Sequence, residues 1–271
     1  MAATGTTGGL PCPPEEISEE IRGRGPALVA LSGGVDSAVV ALLAHRALGQ
    51  DALAATLSGP AVSPPEIDRA RAVARSIGVR HVVLEVDPIA DPEYRVNPSN
   101  RCYFCRRSES AVLTGWGRTH GIRQYLDGLQ VDDLSDDRPG IAAMDEAGFL
   151  HPLVVGRWRK SDVRAFARRA GLPNWDQPSD ACLASRVQHG QPISADLLGR
   201  VHLAERRLLD RGFRRVRVRI DGARARVVVE AEAVARLLAE PVASEVHREI
   251  LELGFENVEL DPHGYIPRAG A

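Results

Sequence analysis

The segment between residues 27 and 44 limits the possible folds more than any other part of the chain. A continuous apolar run at residues 27–31 is followed by a glycine pair, Gly33 and Gly34, and then by a second apolar run at residues 38–44. The first run has the length of a buried strand, whereas the length and the small apolar residues of the second suit a buried helix. Strand, glycine turn and helix in this order predict the first unit of a parallel sheet that is covered on both faces.

The alternation of strand and helix continues along the chain. Further strand patterns lie at residues 52–57, 79–86, 124–129 and 151–154. Helical patterns lie at residues 15–24, 65–77, 107–120 and 160–170. Because parallel strands are joined by crossover connections that usually contain a helix, this order predicts an α/β fold with a Rossmann-like parallel sheet.

A different pattern follows an irregular stretch, residues 174–192, that contains Pro, Gly and Ser. Beyond it we expect helices at residues 195–211, 231–240 and 242–253, and strands at residues 216–220, 225–230 and 257–260, with a turn at Asp221-Gly222. We therefore predict a larger domain at residues 15–190 and a small α+β domain at residues 191–271. Residues 1–14, rich in Gly, Thr and Pro, are predicted to be a disordered lead.

Composition excludes several classes of protein. Hydrophobic residues make up 44% and charged residues 26%, as in ordinary soluble globular proteins, and the formal net charge is −2. This balance gives no general basic surface for nucleic acid. Arg greatly outnumbers Lys, which codon bias in a GC-rich genome explains for most of the surface. No signal segment or membrane span is visible, so we expect a cytoplasmic protein that binds neither nucleic acid nor membrane.

The turn after the first strand, Ser32-Gly33-Gly34-Val35-Asp36-Ser37, consists of residue types that bind phosphate groups. A glycine pair lets the backbone approach phosphates closely, and the next helix offers N–H groups and the positive end of its dipole. The two serine hydroxyls can donate hydrogen bonds, and Asp36 can hold Mg²⁺ against the phosphates. The motif is neither a Walker A loop nor GxGxxG. The alternative is a glycine turn that caps a helix and binds nothing.

The turn closely resembles the SGGxDS signature of the PP-loop ATP pyrophosphatases, which cleave ATP between its α and β phosphates. This resemblance implies an adenine nucleotide α-hydrolase-like fold, ATP and Mg²⁺ as cofactors, and a catalytic role for Asp36. It implies nucleotide contacts from Ala30, Ser32, Gly33, Gly34, Asp36, Ser37, Thr56, Asp127, Gly128 and Arg138.

A second polar segment, residues 127–140, follows the predicted strand at residues 124–129. It contains Asp127, Gly128, Asp132, Asp133 and Arg138. In open α/β sheets ligands bind at the carboxyl ends of the strands. These side chains are therefore candidates to contact nucleotide, metal or substrate, although acidic loops are usually only solvated.

The cysteines point to metal or sulfur chemistry. Cys102 and Cys105 form a CxxC pair at the start of a predicted helix, and Cys182 lies in a polar stretch much later in the chain. Spacing alone leaves three alternatives: structural zinc with a histidine such as His120 or His151, a redox disulfide, or a buried Cys182 with no chemical role. Cys12, in the lead, is interpreted as incidental.

Around these cysteines, at residues 97–105 and 175–186, the chain resembles the LarE family, the ATP-dependent sulfur transferases of nickel-pincer cofactor synthesis. The resemblance implies that ATP adenylates a carboxylate of pyridinium-3,5-biscarboxylate mononucleotide and that sulfur then replaces AMP. In one branch of the family the cysteine matching Cys182 gives up its own sulfur and becomes dehydroalanine. In the other, the cysteines matching Cys102, Cys105 and Cys182 hold a [4Fe-4S] cluster, and the presence of all three favours that branch.

The resemblance also implies roles for other residues. Ser185 and Arg186 are expected to act with Cys182 in catalysis. Arg217 and Arg219, which alternate on a strand and share one face, match arginines that bind the substrate phosphate, and Glu205 matches an acidic residue near the site; the alternative for the arginines is a solvated strand face. A homo-oligomer is expected.

The sequence departs from the family pattern at Val155, Val228 and His189, where the family usually has two glutamates and an RxPYG run. These departures keep open another PP-loop enzyme, either a tRNA thiolase or an ammonia-using synthetase. A nucleotide or iron-sulfur sensor without catalytic activity is the rival from a different class of protein.

Overall fold

A five-stranded parallel sheet dominates the computed structural model, which describes residues 11–135, 139–178 and 181–265. The strands are β1 (Ala27–Ala30), β2 (Ala52–Ser58), β3 (Arg80–Glu85), β4 (Gln124–Leu126) and β5 (Phe149–Leu150). Their order across the sheet is β3-β2-β1-β4-β5, so that β1 lies in the centre and pairs with β2 and β4. The predicted α/β fold with a parallel sheet is confirmed.

Helices connect and flank these strands. They are α1 (Pro14–Arg24), α2 (Val35–Leu48), α3 (Pro64–Ile77), α4 (Pro92–Arg95), α5 (Arg101–Thr119), α6 (Pro139–Glu146), α7 (Pro152–Val155) and α8 (Lys160–Arg169). Helix α2 is buried along most of its length, because residues 37–44 are all buried. It packs in one core with α1, β1 and α8, where Val163, Phe166 and Trp158 contribute large side chains. Among the described residues, no helix is both long and apolar enough to cross a bilayer.

A three-stranded sheet forms the core of a second unit. Its strands are β6 (Arg217–Asp221), β7 (Arg224–Val228) and β8 (Asn257–Leu260). Its helices include α9 (Ala195–Asp210), α10 (Val234–Leu238) and α11 (Val242–Leu251). Strands β6 and β7 are antiparallel and close the predicted turn at Asp221-Gly222, whereas β8 pairs parallel to β7. The small C-terminal α+β fold is confirmed.

The described chain divides into two compact units that interleave in sequence. The first comprises residues up to Ser58 together with Pro64–Val86 and Cys102–Gln177; the second comprises Gly59–Ser63, Asp87–Arg101 and the residues from Pro178 onward. Two short segments from the first half of the chain thus pack with the C-terminal part. The division into independently folding domains at residues 15–190 and 191–271 stays a prediction.

Two local predictions are wrong. Residues 151–154 were predicted as a strand, but β5 ends at Leu150 and Pro152 begins the short helix α7. Proline has no N–H to donate to a sheet, and its fixed φ suits the first turn of a helix. Helix α5 begins at Arg101 and not at residue 107, whereas the expectation that Cys102 and Cys105 lie at the start of a helix is confirmed.

Residues 11–14 of the predicted disordered lead are ordered. The backbone N–H of Cys12 donates to the Gly156 carbonyl at 2.8 Å, and the Trp158 indole N–H donates to the Cys12 carbonyl at 2.7 Å. Burial and the neighbouring Glu16 raise the pKa of the Cys12 thiol to about 11. Cys12 is therefore a packed, protonated thiol, and residues 1–10 of the predicted lead lie outside the described residues.

Substitutions of the two glycines between β1 and α2 test the backbone geometry of this turn. Gly33 has φ +82°, and a Cβ there would lie 3.0 Å from the backbone nitrogen of Ala70 in α3, whereas Gly34 has a negative φ and space for a methyl group. We expect Gly33→Ala to lower the free energy of unfolding by about 2–4 kcal/mol and Gly34→Ala by about 1 kcal/mol or less. Urea unfolding without nucleotide measures both; equal losses would contradict the assignment of strain to Gly33.

Candidate active site

The turn between β1 and α2 is held in shape by its own two serines. The buried Ser37 Oγ accepts a hydrogen bond from the Ser32 N–H at 3.2 Å and donates to the Gly34 carbonyl at 3.1 Å. The Gly34 N–H donates to Ser32 Oγ at 3.3 Å. In the described chain no side chain caps the first turn of α2. The turn is therefore formed in advance, and the first N–H groups of α2 are left for an anion.

The loop after β4 lies directly against this first turn of α2. A Cβ on Gly128 would lie 2.5 Å from the Ser37 backbone nitrogen and 2.9 Å from the Asp36 carbonyl carbon. Only glycine permits this approach, because any side chain would collide with backbone. The structure thus brings Gly128, in the loop that begins at Asp127, next to Asp36 and Ser37.

Asp127 is held in place by His151. Its Oδ1 accepts hydrogen bonds from His151 Nδ1 at 2.7 Å and from the Leu129 N–H at 3.0 Å. The other ring nitrogen of His151 lies 2.7 Å from Asp145 Oδ1. Burial disfavours the charged imidazole, but the hydrogen bonds and charges of Asp127 and Asp145 outweigh it and raise the pKa of His151 to about 9. His151 is therefore a cation at neutral pH that orients Asp127.

Asp36 forms an ion pair with a residue that sequence reasoning missed. Lys160 Nζ lies 2.6 Å from Asp36 Oδ2, and the Lys160 backbone N–H donates to Asp132 Oδ2 at 2.9 Å. The remaining oxygen, Asp36 Oδ1, is buried and has no hydrogen-bond partner in the described structure. The amino-acid composition could have drawn attention to this residue, because Lys160 is the only lysine in the chain.

Three other residues are predicted to contact the nucleotide: Thr56, Ala30 and Arg138. The Thr56 hydroxyl is buried; it donates to the Leu31 carbonyl at 2.7 Å and lies 2.8 Å from His81 Nε2. Burial, with Arg71 and Arg75 nearby, lowers the pKa of His81, which keeps this imidazole neutral. Ala30 ends β1 and is half-buried. The predicted contact at Arg138 lies outside the described residues.

One further side chain supports the turn from a distance in sequence. The Asn174 amide nitrogen donates to the Gly33 carbonyl at 2.9 Å, and its own carbonyl oxygen is buried without a hydrogen-bond partner among the described residues. Because Gly33 holds the left-handed conformation of the turn, at φ +82°, this bond stabilises the conformation that Gly33 adopts.

The CxxC pair lies on α5 in the first unit. Cys102 is exposed, whereas Cys105 is partly buried and its thiol donates to Glu109 Oε1 at 3.4 Å. None of the four cysteines, all of which are described, forms a disulfide. Across residues 11–135, 139–178 and 181–265, no three His, Cys, Asp or Glu side chains form a group that could hold a metal ion.

Cys182 lies in the second unit, in a loop organised by Arg186. Arg186 Nη1 donates to the carbonyls of Ala181 and Cys182 at 2.5 and 3.1 Å, and to Ser185 Oγ at 2.9 Å. Its Nε and Nη2 donate to the two carboxylate oxygens of Glu205 at 2.8 and 3.1 Å. Arg186 is buried and uses all three nitrogens on the protein, so in this structure it shapes the backbone beside the exposed Cys182.

Glu205 connects this loop to the strand that carries the predicted phosphate-binding arginines. Its Oε1 also accepts a hydrogen bond from the Val218 N–H at 3.0 Å, and Val218 lies between Arg217 and Arg219 on β6. Arg219 is exposed and lies opposite Arg226, which instead forms ion pairs with Glu259 and Asp261. The second unit therefore links Cys182, Ser185, Arg186 and Glu205 to the strand of both arginines.

Asn97 and Arg101 clamp the chain just before the CxxC pair. Asn97 is fully buried at φ +56°, and its amide nitrogen donates to the carbonyls of Gln188 and Gln191 at 2.8 and 3.0 Å. Arg101 Nη1 donates to Asn97 Oδ1 at 2.8 Å and lies 3.4 Å from His189 Nδ1. Asn97 and Arg101 thus have a structural role. The sequence alone did not distinguish this role from that of the cysteines in the same motif, residues 97–105.

The pKa of His151 leads to a testable dependence of stability on pH. A pKa raised in the folded state, from 6.5 to about 9, contributes stability that is complete below about pH 6.5 and is lost as the pH rises through about 9. Near pH 6 we expect the wild type to exceed His151→Gln by about 2 kcal/mol in free energy of unfolding, less than the full shift implies because Asp145 is half-exposed. By about pH 10 the difference should shrink. Urea unfolding across this range measures it, and a difference independent of pH would show that His151 is not charged.

A family model and several known proteins are similar to this chain in sequence. The family model described as asparagine synthase matches residues 15–95, which include the turn between β1 and α2. An uncharacterized protein of Synechocystis sp. is 38% identical over 88% of this chain and 89% of its own length. The pyridinium-3,5-bisthiocarboxylic acid mononucleotide synthase of Lactiplantibacillus plantarum is 31% identical over 88% of this chain and 86% of its own. A tRNA-specific 2-thiouridylase of Xanthobacter autotrophicus is 31% identical over 65% of this chain and 57% of its own. The chain therefore belongs to the LarE family of PP-loop ATP pyrophosphatases.

Proposed function

We propose that this protein is an ATP-dependent sulfur transferase that adenylates a carboxylate and then replaces AMP with sulfur. The observation that carries the proposal is the preformed turn before α2, in a chain similar over 88% of its length to a bisthiocarboxylic acid mononucleotide synthase. Beside the turn, Asp36 Oδ1 has no hydrogen-bond partner among the described residues. ATP use follows from the family. The sulfur chemistry and the acceptor are the new part of the proposal.

In the first step, a carboxylate oxygen of the acceptor attacks the α phosphorus of ATP. The bond from that phosphorus to the bridging oxygen breaks, pyrophosphate leaves, and an acyl adenylate forms. The N–H groups at the start of α2 and the hydroxyls of Ser32 and Ser37 would bind the phosphate oxygens. Adenylation is needed because a carboxylate is a poor electrophile, whereas AMP is a good leaving group.

Asp36 is the residue that fits a magnesium ion. One of its oxygens is buried without a partner in the described structure, and Mg²⁺ is usually bound by one or two carboxylates together with substrate phosphates. Bound there, Mg²⁺ would neutralise charge on the departing pyrophosphate. Asp127, oriented by the positively charged His151, is the second carboxylate beside the turn.

In the second step, the Cys182 thiolate attacks the acyl carbon and AMP leaves. Removal of the Cys182 Cα proton then breaks the Cβ–S bond, its electron pair stays on sulfur, and the products are a thiocarboxylate and dehydroalanine. No oxidant or reductant is needed. The exposure of Cys182 and the fixed backbone around it support this role.

The alternative sulfur source is a [4Fe-4S] cluster on Cys102, Cys105 and Cys182. Three thiolates are a chemically suitable donor set; Cys102 and Cys105 belong to the first unit and Cys182 to the second. We therefore derive no step from a cluster, and leave its presence to the metal content of the purified protein.

The proposed acceptor is pyridinium-3,5-biscarboxylate mononucleotide, bound through its phosphate by Arg217 and Arg219. Exposed Arg219, opposite the ion-paired Arg226, supports an anion site on this face of β6. Two departures from the family pattern lie in the same unit as these arginines: Val228 is buried directly opposite Arg217, and exposed His189 lies near Arg101. Val155 is 61% exposed. A homo-oligomer in the cytoplasm is proposed as well.

One experiment tests both adenylation of the acceptor and replacement of AMP by sulfur. Wild-type protein with ATP, Mg²⁺ and the biscarboxylate mononucleotide should release pyrophosphate and AMP and form a thiocarboxylate. Cys182→Ala should keep pyrophosphate release but lower thiocarboxylate formation by more than about 100-fold, because the nucleophile is gone; Cys12→Ala is the control and should behave as wild type. Release of pyrophosphate and AMP with liquid chromatography and mass spectrometry of the product measures both steps.

The intact mass of the protein after one turnover identifies the sulfur source. A loss equal to H₂S at Cys182 supports the cysteine as donor. Brown protein, purified without oxygen and carrying about four irons per chain, would instead support the cluster. ATP that is bound but not consumed with the acceptor would contradict the proposed function and favour a sensor.

A further inference from the structure

A chain of hydrogen bonds runs from β3 to the turn between β1 and α2. The Thr56 hydroxyl, on β2, donates to the Leu31 carbonyl at 2.7 Å and lies 2.8 Å from His81 Nε2, on β3. Leu31 immediately precedes the turn. Its carbonyl belongs to the same peptide group as the Ser32 N–H, which donates to Ser37 Oγ at 3.2 Å. Both polar atoms of the peptide that opens the turn are therefore held by side chains.

The direction of each bond in this chain follows from the number of protons available. A hydroxyl has a single proton to donate, and Thr56 gives its proton to the Leu31 carbonyl. Its oxygen therefore accepts a hydrogen bond from His81, so that the ring proton lies on Nε2. Burial, with Arg71 and Arg75 nearby, lowers the pKa of His81 and keeps the ring neutral. His81 thus fixes the rotation of the Thr56 hydroxyl toward the Leu31 carbonyl.

The strand register explains why a histidine on β3 reaches this threonine. In the parallel pairing of β2 and β3, His81 lies opposite Ala54. Side chains two residues apart on a strand share a face, so Ala54 and Thr56 lie on the same face of β2. The small side chain of Ala54 leaves room for the imidazole, which extends along β2 to the hydroxyl of Thr56.

Support of the fold alone explains this arrangement poorly. Strands β1 and β2 already pair through their backbones, and the Leu31 N–H donates to the Ala55 carbonyl at 2.8 Å. Thr56 is 3% exposed, so its hydroxyl needs an acceptor, and the Leu31 carbonyl meets that need without His81. The second bond, from His81, adds orientation to a peptide whose N–H is already held at Ser37.

We propose that His81 and Thr56 are positioning residues for ATP binding, which orient the peptide between Leu31 and Ser32 and thereby the turn that receives the phosphates. The inference rests on the proposed function, in which the N–H groups after this turn bind phosphate oxygens. A turn that is held in one conformation before binding loses less entropy when the ligand arrives, so the affinity increases. Because the Thr56 proton is used within the protein, Thr56 acts on the nucleotide through this peptide.

Matched substitutions of the two residues test this role. By calorimetry with ATP and Mg²⁺, we expect Thr56→Val to weaken ATP binding by about 5-fold or more, because the Leu31 carbonyl loses the side chain that orients it. His81→Phe should weaken binding by about 3-fold or more. Thr56→Ser keeps the hydroxyl, and His81→Gln keeps a donor on an amide, so both should bind ATP within about 2-fold of the wild type.

Thr114→Val is the control for loss of a buried hydroxyl. Thr114 is buried on α5 in the same unit, and its hydroxyl donates to the Ser110 carbonyl at 2.8 Å. Thr114→Val and Thr56→Val should both lower the free energy of unfolding in urea, but only Thr56→Val should weaken ATP binding. Combining Thr56→Val with His81→Phe should weaken binding no further than Thr56→Val alone, because His81 acts through the Thr56 hydroxyl.

The inference and the proposed function fail in different ways. ATP binding by Thr56→Val as tight as that by Thr114→Val, or additive losses in the double variant, would overturn the role of His81 and Thr56. A wild type that binds ATP but releases no pyrophosphate with the acceptor would contradict the sulfur transfer, while the affinities of the variants still test the positioning role. If the wild type turns over and Thr56→Val binds ATP normally, only the positioning role is lost.

Discussion

The burial of α2 against the central strand is the constraint on which the first unit depends. Helix α2 follows β1 after a short turn and is enclosed by α1, α8 and the sheet, so its axis and its first turn have little freedom to shift. That rigidity puts the first N–H groups of α2, which no side chain in the described part of the chain caps, at the carboxyl edge of the sheet, where parallel folds bind ligands. The chemistry of the site then requires only that neighbouring loops bring charges to a fixed point.

Those charges come from parts of the chain that are far apart in sequence. Asp36 meets Lys160, Asp127 meets His151, and the Gly33 carbonyl meets Asn174. Two of these contacts, at Asp36 and Asp127, pair a carboxylate with a cation, so that neither carboxylate is an uncompensated charge. The second unit uses the same approach with a buried pair, Arg186 and Glu205, whose hydrogen bonds are all made within the protein. Removing one partner would strand a buried charge, which is far more destabilising than losing a surface ion pair.

Local patterns predicted the parts of the structure that local forces determine. The apolar runs located β1, α2 and β2, and β8 has the predicted bounds, because burial of one continuous stretch needs no information about distant residues. The glycine turn was predicted for the same reason. The helix at Pro152 was missed because an apolar run of four residues suits either structure. Lys160, Asn174 and the clamp at Asn97 are contacts across the fold, and their partners cannot be read from spacing.

The clamp also determines which substitutions the second unit tolerates. Asn97 contacts the backbone carbonyls of Gln188 and Gln191, not their side chains, and the Gly190 N–H donates to the Asn97 carbonyl. The requirement therefore falls on the path of the main chain, and the exposed Gln188 side chain can vary, whereas the Gln191 side chain itself forms two hydrogen bonds with the Gly222 backbone. An unusual residue such as His189 can then be accommodated without loss of loop shape. Substitution of Gln188 would therefore leave the loop in place, because Asn97 and the Gly190 N–H hold the backbone and not that side chain.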